Sequence, residues 1–560
     1  MDSLAITPHA ATHEVLNQVP TLTGYNLFLS DKVLTQSVAR ANADWAAGQL
    51  TDLGGILGSE EAQRWGFEAN ENEPVLHTHD RYGNRRDEVV FHPSWHNLMR
   101  TSVEHGLHNL PWVEMKRAEK RPGAQLVRAA LMMMTAQNET GHTCPISMTF
   151  SGMAALRSEP DLAREWEDKM LSPVYDPQFR PAQEKQGVLM GMGMTEKQGG
   201  SDVRANTTQA EPIGSREYLI TGHKWFCSAP MCDAFLILAQ APKGLSCFFL
   251  PRWTLTGERN RFHIQRLKKK MGNRSNASSE VEFAGAWAQL VGEEGRGVNT
   301  IIEMVHHTRL DCAIAGAALM RQAFVQALHH AQHRKAFGKL LIDQPLMRNV
   351  LADLAVESEA ATLFMARLAS SFDARESDLH ERAFSRIATA IGKYWLCKRA
   401  CMHVGEALEC LGGNGYVEES VMPRLYREAP LNSIWEGSGN VICLDILRAL
   451  GKEPATLEAM ISELRLSAGA NPRLSSLTTD IESGLRKSKN GADSEGQARR
   501  LAEKLALALQ ASLLVRHGSP VVAEAFCATR LAGDHGYTFG TLPSGVDVDG
   551  IVGRCIQSFE

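Results

Sequence analysis

"LMGMGMTEKQGGSDV", residues 189–203, decides which kind of fold the chain has. Gly191 and Gly193 have the spacing that opens a GxGxxG dinucleotide fingerprint, but the third glycine position falls on Glu196. The fingerprint also needs a strand before it and a helix after it. Neither condition is met, so a doubly wound dinucleotide fold is rejected. Two readings remain for the segment. It is a turn between domains, or it is a backbone-amide loop whose hydroxyls, Thr195 and Ser201, face the polar edge of a ligand. Gly199 and Gly200 would then permit a close approach.

The chain changes character on either side of this segment. Before it, "DKVLTQSVARANADWAAGQLTDLGGILGS" and "AQLVRAALMMMTAQNETG" carry helical spacing and end in glycine. The methionine cluster in the second reads as core filler. After it, "EYLITGHKWFCSA", "AFLILAQA", "LSCFFLPR" and "SSEVEF" are short aromatic and β-branched runs punctuated by Gly222, Pro230 and Gly244. Helix returns after Gly297. The second long helix starts at Pro345, which suits a first-turn position, and the third stops at Gly412 and Gly413. With the helix after Asn440, four helices form a bundle.

The expected organisation is therefore α+β. It has a helical domain over 1–185, a β domain over 186–290, a helical bundle over 291–450 and a helical extension over 451–560. Residues 464–498, rich in Ser, Gly, Asn and Arg, read as a loose connection inside that extension. No internal repeat is visible.

Composition excludes several classes. At 560 residues, 44% hydrophobic and 22% charged, the chain is an ordinary globular mix large enough to bury its own core. Eleven scattered cysteines with no CxxC predict reduced, mostly buried thiols and no metal site, which suits the cytoplasm. The opening residues lack a signal-peptide pattern, and no apolar run reaches membrane-spanning length. The net charge of −5 gives no bulk attraction to nucleic acid, though a local basic patch remains compatible with it.

Four further features carry possible chemistry. In "TGHKWFCSA", alternation sends Trp225 and Phe226 to opposite faces; either one ring enters the core and the other lines a pocket for a flat cofactor, or the two are an ordinary aromatic core pair. "HRKAFGK" ends a helix with basic residues that suit a helix C-terminus, and Arg334 is the one that can clamp a phosphate. The histidines His306, His307, His329, His330 and His333 lack an acidic partner at metal spacing and read as polar surface or satisfied core. "NSIWEGSGNV", residues 432–441, sets one carboxylate, Glu436, between Trp435 and Gly437. A base can use both neighbours, one as a dry wall and one for space.

Taken in order, "MTEKQGGSDV", "GHKWFCSA", "KKMGNRSNASSEVEF", "HRKAFGKLLIDQ", "LECLGGNGYVEE" and "IWEGSGN" resemble the acyl-CoA dehydrogenase superfamily. The forms "GNRSNAS" and "LYREAPLNSIWEGSGN", an early "GYNLFLSD" and the long C-terminal extension are similar to its AidB-type alkylation-response branch. That resemblance implies a helical domain, a β-barrel domain, a four-helix bundle and extra C-terminal helices. It implies FAD, a homotetramer, association with double-stranded DNA, and weak dehydrogenation of a short or branched acyl-CoA. It further implies a cytoplasmic, DNA-associated protein.

Residue by residue, the resemblance implies that Glu436 is the catalytic base. Met194, Thr195, Ser201, Phe226 and Ser228 would line the flavin, with Ser228 beside its N5. Ser438 and Asn440 match the Thr and Gln that follow the base. Arg334, Phe337 and Gly413 match residues that reach the FAD of a neighbouring subunit. One branch of the superfamily carries its base just before an arginine that here is Arg309, and Thr308 stands in that place. His306 occupies a position where many members carry an acid, and Glu409 one where they carry a flavin-contacting Gln.

For DNA, Arg486, Lys487, Lys489, Arg499, Arg500 and Lys504 cluster in the extension, and Arg448 ends the helix after Glu436. They are read either as a solvated surface or as sequence-independent phosphate contacts with steep salt dependence.

Overall fold

The computed structural model describes residues 12–487 and 495–557. The N-terminal region is built from α1 (Lys32–Arg40), α2 (Ala47–Gly58), α3 (Glu60–Glu71), α4 (Pro93–Glu104), α5 (Leu110–Met115), α6 (Ala124–Asn138), α7 (Thr143–Leu156) and α8 (Pro160–Met170). Asp31 starts α1 by accepting from the amides of Val33 and Leu34 at 3.1 and 3.0 Å, a side-chain N-cap. Every residue of α6 is buried, Met132 to Met134 included, so the methionines do fill core. An antiparallel hairpin, β1 (Val75–His79) and β2 (Arg85–Val90), interrupts these helices. The sequence reading missed it because its strands are polar and half exposed.

The middle region is a closed barrel. Its strands are β3 (Met190–Gly193), β4 (Gln209–Pro212), β5 (Glu217–Ser228), β6 (Ala234–Ala241), β7 (Gly244–Pro251), β8 (Phe262–Leu267) and β9 (Ser278–Val291). The order β6-β4-β5-β9-β7 closes where β7 pairs back onto β6, with β3 added beside β6 and β8 beside β9. Closure removes the exposed edges of those five strands. Gly191 is explained here: a Cβ on it would lie 2.4 Å from the Phe235 ring, so it serves strand packing rather than a phosphate.

The bundle consists of α9 (Gly297–His333), α10 (Pro345–Ala374), α11 (Leu379–Glu409), α12 (Met422–Asn432) and α13 (Gly439–Lys452). His306 and His307 lie buried inside α9. A short hairpin, β10 (Lys335–Ala336) and β11 (Lys339–Leu340), links α9 to α10. Buried Arg128 of α6 pairs with Asp311 of α9 through two 2.7 Å bonds and joins the first region to the bundle.

The extension is formed by α14 (Pro454–Arg465), α15 (Pro472–Lys487), α16 (Ala498–His517), α17 (Pro520–Phe526) and α18 (Val548–Ile556); α14, α16, α17 and α18 pack against the bundle, and α15 packs on α14 and α16. Residues 472–487, expected as part of a loose connection, are helix. Leu474 and Ile481, seven apart, are buried there, and such helical spacing is hidden in composition by the surrounding Ser and Thr. Glu463 of α14 takes Arg367 of α10 at 2.8 Å, and the Trp395 indole N–H of α11 donates to Gln510 of α16 at 2.8 Å. No helix among the described residues is long and apolar enough to cross a membrane. All eleven cysteines are free thiols, and ten of them are buried.

Candidate active site

Glu436 sits in the tight turn between α12 and α13 with φ = +59°, a left-handed conformation that non-glycine residues avoid. Gly437 follows at φ = +109°, where a side chain would be strained. Strain of this kind persists only where surroundings enforce it. Here two cations do so. Arg309 Nε of α9 donates to the Glu436 carbonyl at 3.0 Å, and the buried Lys393 ammonium of α11 donates to the Gly437 carbonyl. Arg309 is in turn fixed by Asp445 of α13 at 2.8 Å, and Asp445 also accepts from Arg386 at 2.9 Å. Three long helices therefore aim one carboxylate.

The carboxylate itself accepts from the Thr308 hydroxyl at 2.8 Å. Burial raises its pKa above the ordinary 4.5, while the Thr308 bond and the charges of Arg309 and Lys393 pull it partly back. A raised carboxylate is what a working base near neutral pH requires. Around it lie Cys144 at the start of α7 and Cys312 of α9, whose thiols burial holds high, Cys144 at about 12. Cys144 feels the charge of Glu436, and Ser228 at the end of β5 pairs with the Ser278 hydroxyl at 3.3 Å. His306, buried, has an Nδ1 with no partner and a pKa lowered to about 3 by burial and then by Arg309. It is a neutral imidazole where many members of the resembled superfamily carry an acid.

The loop after β3 is anchored by Glu196, whose fully buried carboxylate holds Lys224 of β5 at 2.7 Å and accepts from the amide of Thr207 at 2.7 Å. Burial opposes that charge, yet the Gln198 amide and the Lys224 ammonium hold the acid well below its usual range. Glu196 thus pins the loop beside Thr195, and Ser201 lies exposed farther along it. The Thr195 carbonyl accepts from the Trp225 amide at 2.8 Å, and Asn206 donates to the Met194 carbonyl at 2.9 Å. Gly200 is required because a Cβ on it would fall 2.4 Å from the Thr195 hydroxyl.

One expectation fails at β5. Neither ring enters the core: Phe226 is 48% exposed, and Trp225 is half-buried beneath Lys268, whose ammonium lies 3.2 Å from the ring centroid. The register of β5 against β9 shifts between Lys224 and Cys227. A bulge of this kind breaks strict alternation, which the local sequence does not reveal. The result is a half-open aromatic corner, the two rings set at 86° with centroids 6.5 Å apart, flanked in sequence by Ser228.

The remaining expected residues fall in three places. Ser438 stands at the N-terminus of α13. Asn440 accepts from Arg499 Nε of α16 at 2.9 Å, so a residue read as a DNA contact touches one read as a cofactor contact. Arg334 donates to the Asn17 carbonyl, and Phe337 is fully exposed at the hairpin tip with φ = +50°. Gly413 lies in the open turn after α11. No hydrogen bond among the described residues ties Arg334, Phe337 or Gly413 to the Glu436 turn of the same chain. Arg448 is exposed and reaches back to Asp445 at 3.3 Å. Arg500 is exposed and Lys504 half-buried on α16. Arg486 and Lys487 lie in the last turn of α15, and Lys489 lies outside the described residues. Sequence reasoning missed Lys393, Asp445, Cys144 and the Glu196–Lys224 pair; none is near its partner in sequence.

A helical domain, a closed barrel and a helical bundle in this order, with a carboxylate aimed from the bundle, define an acyl-CoA dehydrogenase-type oxidoreductase. Residues 191–286 match the acyl-CoA dehydrogenase middle domain and residues 295–451 its C-terminal domain. Residues 17–177 match the adaptive response protein AidB N-terminal domain. The chain is 44% identical over 524 residues to "Putative acyl-CoA dehydrogenase AidB" of Escherichia coli K12, covering 93% of this chain and 95% of that one. It is 31% identical over 464 residues to "Acyl-CoA dehydrogenase family member 11" of Caenorhabditis elegans, covering 80% and 74%. Among solved structures, Caenorhabditis elegans ACDH-11 in complex with C11-CoA superposes with a TM-score of 0.84 at 26% identity, over 98% of this chain and 93% of that one. The chain belongs to the AidB family of acyl-CoA dehydrogenases, and its cofactor is FAD, as in that family.

Proposed function

We propose that this flavoprotein oxidises an acyl thioester across its α,β bond with Glu436 as the base, at a rate secondary to a role on DNA. The observation that carries the chemical half is the aimed carboxylate: a strained, doubly clamped Glu436 with raised basicity. Glu436 takes the α-proton; Arg309 and Lys393 hold the turn still while it does; Gly437 leaves room beside the substrate. Bound FAD supplies the acceptor for the β-hydride. The exposed Phe226 wall, the pinned Thr195 and Ser201 loop with Met194, and the Ser228 hydroxyl suit a planar ring with a polar edge. Ser438 and Asn440 would hold the same cofactor beyond the base.

Phe337, wholly exposed in a strained turn, with Arg334 and Gly413 unconnected to the site of their own chain, supports a homotetramer in which they serve a neighbour's cofactor. A short or branched acyl-CoA is the expected substrate. The neutral His306 and exposed Glu409 depart from the superfamily's substrate- and flavin-contacting residues and support weak turnover.

The DNA half rests on likeness to AidB and on the basic residues Arg448, Arg486, Lys487, Lys489, Arg499, Arg500 and Lys504. In this reading the tetramer binds duplex DNA without sequence preference and shields it during the alkylation response in the cytoplasm. Anaerobic titration of the yellow holoprotein with straight and branched acyl-CoAs, with and without duplex DNA, tests both halves. Bleaching by at least one thioester is expected. Absence of bleaching removes the base assignment, and absence of a gel shift at low salt removes the DNA role. A dehydrogenase without a DNA role would bleach and never shift DNA.

A further inference from the structure

Thr308 hydrogen-bonds in two directions. Its hydroxyl lies 2.8 Å from Glu436 Oε2 and 3.2 Å from the Val305 carbonyl one turn back on α9. A hydroxyl has one proton and two acceptor lone pairs, so it cannot donate to both at once. With Glu436 ionised, the proton points at the carboxylate. With Glu436 protonated, the acid's own proton points at Thr308 Oγ1, and the hydroxyl proton turns to the Val305 carbonyl. Neither arrangement moves a heavy atom, and neither strands a buried polar group.

We propose that Thr308 is a positioning residue that keeps Glu436 in one geometry through both protonation states of its catalytic cycle. The inference rests on the reading of Glu436 as the base. The proton balance is closed. The α-proton passes to the carboxylate, the O–H of the acid then donates to Thr308, and the hydroxyl rotates without releasing a proton. Returning that proton to solvent reverses the rotation. The other groups facing the carboxylate do not offer this exchange. Arg309 and Lys393 are cations whose bonds to the turn go to its backbone carbonyls, with Arg309 also held by Asp445, which Arg386 shares. Cys144 and Cys312 are thiols whose pKa values burial raises. Thr308 alone among the described residues hydrogen-bonds the Glu436 carboxylate.

The test follows the Glu436 carboxyl by infrared difference spectroscopy of the holoprotein across pH, with Glu436→Gln to assign the band. It needs no turnover. In the wild-type protein the protonated band should sit at the frequency of a hydrogen-bonded acid. Thr308→Val should move that band towards that of a free acid, and it should shift the titration midpoint upward, because of the two bonds lost the charge-assisted one to the carboxylate is the stronger. Thr308→Ser should behave as the wild type, and it also controls for misfolding, as does Thr308→Ala where valine crowds the helix. Acyl-CoA bleaching, followed in parallel, should shift its pH profile by the same amount. An acid band that stays at its wild-type frequency in Thr308→Val and Thr308→Ala, or one that moves in Thr308→Ser as it does in them, overturns the proposal. Bleaching retained in Glu436→Gln would instead overturn the base assignment and leave the infrared result standing.

Discussion

The turn around Glu436 and the basic face of the extension both present charge, but they hold it differently. In the turn, each charge is fixed: Arg309, Lys393, Asp445 and Arg386 come from three helices and are partly or wholly out of water. On the extension, Arg500 points into solvent, and Arg448, at the end of α13 in the bundle, reaches a carboxylate only from an exposed position. A fixed charge organises the backbone beside it. A solvated charge gives attraction without geometry. That contrast suits precise chemistry in one place and sequence-independent contact with phosphates in the other.

The contrast breaks most readily at Asp445. Asp445→Ala leaves Arg309 and Arg386 without their shared anion, and losing one side of a buried pair costs about 3–5 kcal/mol. Denaturant unfolding should show that loss, with bleaching falling alongside. Arg448→Ala, whose group is mostly in water, should change stability by less than about 1 kcal/mol. Equal costs would show that the two regions do not differ.

A smaller effect is expected on DNA. Arg500→Ala with Lys504→Ala should weaken duplex binding and lower the slope of log affinity against log salt by about one per contact removed. Arg499 sharpens the comparison because it stands between the regions. Since it already holds Asn440, Arg499→Ala should change the salt slope less than Arg500→Ala and loosen FAD more, read by cofactor release on dilution.

The smallest effect concerns pH. Folding raises the Glu436 pKa above its unfolded value, so between the two values the native state binds more protons than the unfolded one. Stability then falls as pH rises through that window. Glu436→Gln removes this penalty, so the variant should melt at or above the wild-type temperature at pH 7 and lose the advantage near pH 4. A variant less stable at pH 7 would mean that the ionised carboxylate supports the fold.

How much of this was legible beforehand depends on range. The helix–β–helix order followed from local periodicity, as did Pro345 opening α10, while closure of the β region into a barrel came only with the family resemblance. Glu436 stood out because a lone acid between Trp435 and Gly437 is unusual, and ordered motifs gave it a role. Its clamps were not legible, since Lys393 and Arg309 meet the turn from 43 and 127 residues away. The bulge that turns both Trp225 and Phe226 outward depends on the register of β9. The hairpin at 75–90 and the helix at 472–487 were hidden by polar residues that face water while their backbones stay regular.

The central claim is that Glu436 is an aimed base in a flavin site. It is tested most directly by anaerobic stopped-flow bleaching of the holoprotein by the best acyl-CoA of the panel, wild type against Glu436→Gln. Loss of a positioned general base predicts a fall of about 10²- to 10⁴-fold in the bleaching rate, with FAD content unchanged. Bleaching at the wild-type rate in the variant would contradict the account.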